Sequence, residues 1–146
     1  MTEQKFYDFS IMMKENSNIL FSKNKYHTSI YLAGYVLEGY IKIILIHHGE
    51  NAFEGHLGDN IFLNKFRRLI TLYPEFFSNS ILEEFNADYP KKLFNGGGNN
   101  TTKASWKIKH RYNTDCWTDN NFANDIQLEI EKIKEALEKL RMDGVV

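Results

Sequence analysis

Cysteine is all but missing from this chain. Cys116 is the single one, so no disulfide can form within the protein. Proline occurs only at Pro74 and Pro90. No apolar run is long: the longest, residues 41–46, is interrupted by Lys42 and falls far short of the ~20 residues that a bilayer-spanning helix needs. The beginning of the chain lacks the basic start, apolar core and small-residue cleavage site of a secretory signal. These absences predict a cytoplasmic protein with no membrane segment. Alternation of apolar and polar residues is missing over any useful length, as is a repeat of solenoid length, which argues against sheet and repeat architectures. The last absence is local. Between Asp88 and Asp115 there is no acidic residue, while Lys91, Lys92, Lys103, Lys107, Lys109 and Arg111 supply six positive charges. With a net charge of −1, the rest of the chain therefore carries −7. Such asymmetry marks either a face for an anionic partner or a solvated loop that balances the acidic last helix.

What is present is an ordinary globular composition, 42% hydrophobic and 25% charged with 11 Phe and 8 Tyr, in a length of 146 residues that fits one domain over 1–146. Helical spacing recurs five times. Residues 3–21 place Phe6, Phe9, Met13 and Leu20 on one side, and residues 26–48 place Ile30, Ala33, Gly34, Leu37, Ile41, Ile44 and Leu45 on another stripe that Gly49 ends. A third helix begins near Asp59 or Asn60, carries Phe62, Phe66 and Ile70, and stops at Pro74; a fourth carries Phe77, Ile81 and Phe85 and fails before Pro90. The last, about 119–141, has Phe122, Ile126, Ile130, Ile133, Leu137 and Leu140 as its stripe. The spacing predicts an all-α bundle. Residues 90–118 form a long connection whose run Asn95-Gly96-Gly97-Gly98-Asn99-Asn100 is no regular helix, and is either shaped by a ligand or without fixed structure.

Few residues suggest chemistry of their own. Glu38 and Lys42 lie on an otherwise apolar helix and must reach water, each other or a partner, since an unpaired buried charge is costly. The glycine run lacks the Gly-x-x-x-x-Gly-Lys-Ser/Thr pattern of a phosphate loop. His47, His48 and His56 have no Cys or carboxylate spacing to complete a metal site; the first two suit a helix C-terminus, and His56 suits capping or orienting the third helix. No metal and no cofactor are expected. Cys116 reads as a small packing residue.

Three segments taken together resemble the HEPN domain family. Tyr31-Leu32-Ala33-Gly34-Tyr35-Val36-Leu37-Glu38-Gly39-Tyr40-Ile41-Lys42 resembles its second helix, Gly55-His56-Leu57 the segment before its third, and Trp106 through Arg111-Tyr112 its W-x-x-x-x-R-Y stretch before the last helix. The order matches and covers most of the chain. The resemblance implies an up-and-down bundle of four to five helices that forms a homodimer through its second and last major helices. Ala33, Gly34 and Gly39 would allow that close helix approach. It also implies RNA or nucleotide work in a toxin–antitoxin or defence setting, with an operon-encoded nucleotidyltransferase or antitoxin as partner. Family ribonucleases use Arg-x(4–6)-His without metal. Here the spacing from Arg111 reaches Cys116, Trp117 and Thr118 instead, so the usual catalytic motif is not intact.

Three functions compete. The first is a HEPN-like protein that binds RNA or a nucleotide without the usual ribonuclease activity, with Lys103, Trp106, Lys107, Lys109, Arg111 and Tyr112 as phosphate-binding and stacking residues. The second is a divergent ribonuclease in which Arg111 works with His110 or His56. The third is a helical interaction module with no nucleic-acid role. Arg111 itself has two readings: it receives a phosphate, or it pairs with Glu38 and fixes the loop to the bundle.

Overall fold

The turn between the first two helices follows from one asparagine. In the computed structural model, which describes residues 3–49, 64, 71, 91–98 and 100–144, α1 (Glu3–Ser22) ends where Asn24 adopts a left-handed φ of 61°. The Lys25 N–H donates to the Leu20 carbonyl at 2.8 Å and the Asn24 N–H to that of Phe21 at 3.0 Å, the paired bonds of a Schellman ending. Asparagine tolerates this φ better than most residues, and its Oδ1 accepts from the Tyr26 hydroxyl at 2.8 Å. α2 (Tyr26–His47) thus returns antiparallel to α1, bringing Ser29 opposite Ser17 and Gly39 opposite Ser10.

α2 is the centre of the core. Its expected stripe, Ile30 through Leu45, is buried, and so are Val36, Tyr40 and Ile43 outside that stripe. It is long and apolar enough to cross a membrane, with a mean hydropathy of 1.5, but 78% of that window is buried inside the chain. Reading contiguous apolar runs missed this because single polar residues punctuate the helix. Two of them, Glu38 and Lys42, bond each other at 3.0 Å one turn apart, and the Lys42 ammonium lies 5.9 Å from the centre of the Phe6 ring on α1. Neutralising each other locally is what lets both sit in the core.

After a short α3 (Lys91–Asn95), α4 (Asn120–Met142) starts at Asp119, whose side chain accepts from the Phe122 N–H at 2.7 Å. All six residues of its expected stripe are buried. It packs on α2 and runs antiparallel to α1, with Gln127 bonding Ser17, Glu131 pairing with Lys14 and the Tyr7 hydroxyl reaching Glu138. The fold is all-α, with no strand among the described residues. The expected helices at 59–73 and 74–89 lie outside those residues, save Asn64 and Thr71, which are helical; His56 lies outside them as well.

α1 corrects the sequence reading. Its buried face is Phe6, Ser10, Lys14 and Ser17, whereas Phe9, expected inside, is 38% exposed. Ser17 and Ser29 exchange hydroxyl-to-carbonyl bonds at 2.7 and 2.8 Å, and the Gln127 amide donates to both hydroxyls. The seam between α1, α2 and α4 is therefore polar at this end, and these hydrogen bonds stand where apolar contacts were expected.

Candidate functional site

The basic loop is seated on α2 by its own chain. It begins at α3, where the buried Glu129 carboxylate of α4 accepts from the Lys92 N–H at 2.7 Å and the Leu93 N–H at 3.2 Å. Burial pushes Glu129 up to about 7, against the downward pull of those two donors. Gly96 then turns the chain at a φ of 72°, where a Cβ would come within 2.5 Å of the Lys103 carbonyl oxygen. The Gly97 N–H donates to that same oxygen at 2.8 Å. Asn100 caps a 3-10 turn, Thr101–Lys103, and a second 3-10 turn spans Ile108–Tyr112. The glycine run expected to lack structure or to need a ligand is shaped by its own backbone.

Two tryptophans anchor the rest. Trp106 is 2% exposed, and its Nε1–H donates to the Tyr31 carbonyl at 3.2 Å. Its indole lies directly on Gly34: a Cβ there would be 2.0 Å from the indole Cε2. Tyr31, Trp106 and Trp117 stack in sequence, with centroids 6.1 and 6.3 Å apart and planes within 9° and 11°. Trp117 holds a φ of 62°, a costly conformation for a bulky side chain, of order 1–3 kcal/mol. Complete burial and a 2.9 Å bond from its Nε1–H to the Ala104 carbonyl hold it there. Cys116 beside it is buried, and burial raises its thiol pKa, in keeping with a packing role.

This seat overturns one site assignment and divides the others. Trp106 offers no stacking face to a base, because the core has taken both its ring and its N–H. Lys107, Lys109, Arg111 and Tyr112 are exposed along the second turn, and Lys103 is half-buried against the glycines. Arg111 does not bond Glu38. Its Nη1 donates to the Tyr31 hydroxyl at 3.4 Å, its Nη2 to the Tyr112 hydroxyl, and its guanidinium lies 4.5 Å from the centre of the Tyr112 ring. His110, its neighbour, turns the other way on the tight turn. The His110 Nδ1–H donates to the Ser105 carbonyl at 3.0 Å and the ring packs edgewise on Trp117. Burial lowers its pKa and keeps the imidazole neutral.

Sequence reasoning missed His27, Tyr31 and Tyr35. The His27 Nδ1 lies 2.8 Å from the Cys116 carbonyl and its Nε2 3.1 Å from that of Arg111. Carbonyls only accept, so both bonds form together only when both ring nitrogens carry hydrogen. Tyr31 and Tyr35 lie in the segment that resembles the second HEPN helix, which assigns them no site role; the signal that joins them to His27 is helical spacing, which places residues 27, 31 and 35 on a single face of α2. Among the described residues no cluster of His, Cys, Asp and Glu could hold a metal ion. Comparison with known protein families, curated proteins and solved structures finds no match.

Proposed function

We propose that this chain is a HEPN-like, cytoplasmic helical protein that binds RNA or nucleotide phosphate through its basic loop, without the usual HEPN ribonuclease activity. The observation that carries the reading is the state of Arg111: an exposed guanidinium on a seated loop, bonded to two phenols and, among the described residues, to no carboxylate, with Lys107 and Lys109 exposed at the start of the same turn. A charge held out to solvent by a buried tryptophan anchor suits phosphate recognition better than it suits packing. The toxin–antitoxin or defence setting, the homodimer and a nucleotidyltransferase or antitoxin partner belong to the HEPN resemblance and stand with it.

Replacing Lys107, Lys109 and Arg111 together with Ala is expected to weaken RNA or nucleotide binding without unfolding the bundle, because all three side chains are exposed. The slope of log affinity against log salt should flatten by about one for each phosphate contact removed. Arg111→Lys alone should also bind less well, since lysine keeps the charge but loses the planar fork. Unchanged binding by the triple variant at low salt would leave the helical interaction module as the better account.

One observation favours a second reading, a divergent metal-independent ribonuclease. The Nδ1 bond of His110 to Ser105 fixes the tautomer and makes Nε2 the proton-accepting nitrogen of a neutral ring. RNA cleavage in the presence of a chelator, lost in His110→Gln, would support it.

A further inference from the structure

The hydroxyl and guanidinium groups around Arg111 carry more hydrogen-bond donors than they have acceptors. Tyr31 and Tyr35, one turn apart on α2, have hydroxyls 2.8 Å from each other. Only one of the two can give its hydrogen to that bond, so the hydrogen of the other is left over. Tyr112 accepts from Arg111 Nη2, which leaves its own hydroxyl hydrogen to donate elsewhere. Arg111 uses two of its N–H groups on these phenols, and a guanidinium has more. Among the described residues none of the four side chains bonds a carboxylate; Glu38, the next acid along α2, is paired with Lys42. Burial, and then the bond to Tyr31, hold the Tyr35 pKa above the ordinary phenol range, so it remains an O–H donor.

We propose that Tyr31, Tyr35, Arg111 and Tyr112 form a site for a terminal phosphomonoester, the phosphate at an RNA end or on a mononucleotide, in preference to an internal phosphodiester. A monoester presents three non-bridging oxygens and a charge near −2, whereas a diester presents two oxygens and a single charge. Two phenolic hydrogens together with the unused edge of the guanidinium match three acceptors better than two. This rests on the reading that the loop binds phosphate. It adds two residues from α2 that the loop alone does not contain, and it separates the roles: Lys107 and Lys109 attract any phosphate, and the tyrosines and Arg111 select the terminal one.

The test uses the full chain and one short RNA sequence with an internal fluorophore, carrying a 5′-phosphate, a 3′-phosphate, or hydroxyls at both ends. Anisotropy at low salt is expected to show at least one phosphorylated form binding about tenfold more tightly than the hydroxyl form, the scale of an added charge-assisted hydrogen bond. Tyr31→Phe and Tyr112→Phe should bring that ratio close to one. Tyr31→Phe keeps the ring that stacks on Trp106, and Tyr112 is 77% exposed, so neither change threatens the fold. Lys107→Ala should weaken all forms equally. Displacement by AMP or inorganic phosphate would assign the site to free nucleotides, and resistance to both would assign it to RNA ends. Equal binding of all three RNAs overturns the terminal-phosphate site and leaves the basic loop as a general binder. Tyrosine variants that keep the preference also overturn it. Binding of none of them overturns the loop reading as well.

Discussion

Gly34 shows how one residue can be noticed in a sequence for a reason other than its use. Together with Ala33 and Gly39 it suggests close approach of a second chain, but the approach is made inside this one: Trp106 lies on Gly34, and the Ser10 hydroxyl would be 1.9 Å from a Cβ on Gly39. Gly34→Ala should therefore displace the indole and destabilise the protein by roughly 1–3 kcal/mol, the usual cost of overpacking. Its tryptophan emission should shift to the red as Trp106 becomes wetter. An unchanged melting temperature and spectrum would show that the loop is not seated as described. Arg111 is the opposite case. Of the two partners the sequence offers it, a phosphate and Glu38, the second bond is not made: the guanidinium reaches Tyr31 and Tyr112, contacts set by how the loop lands on α2 and not by any local pattern.

At the scale of elements, what was legible depended on whether the buried face was apolar. α4 reads directly, because all six residues of its stripe are buried and Asp119 caps it. α1 misleads because its inward face carries Ser10, Lys14 and Ser17: Ser17 and Lys14 are buried against polar partners on α2 and α4, and Ser10 fits against Gly39, none of which hydropathy registers. α3 was not expected at all. It is five residues long, and its first turn is held by a carboxylate from α4 rather than by a neighbouring cap. Burial of that carboxyl makes the stability depend on pH. Glu129 titrates near 7 in the folded chain, against an ordinary value of 4.5, so between those values the folded state keeps a proton that the unfolded state has released. Stability from this group is greatest at the acid end of that window and falls as pH rises toward 7. Thermal melts of the wild type should drop from pH 5 to pH 7.5 more than melts of Glu129→Gln, which cannot titrate. Equal slopes would show that the carboxyl is not held in the buried form described.

For the whole molecule, the candidate site joins parts that are distant in sequence and near in space, α2 and the second 3-10 turn, with α4 securing the start of the loop. Local pattern identified the basic half of this arrangement. The tyrosine half was hidden, since Tyr31 and Tyr35 look like ordinary core-helix aromatics until Trp106 packs between α2 and the loop. The same geometry separates assembly from binding. Most of α2 is already covered within one chain, so the proposed homodimer draws little from that helix and rests on the HEPN resemblance. Light scattering at micromolar concentration is expected to give twice the mass of a single chain. A strictly monomeric mass would remove the dimer and any site shared across it. Phosphate binding should survive that result, because the bonding partners of Arg111, Tyr31 and Tyr112, come from its own chain.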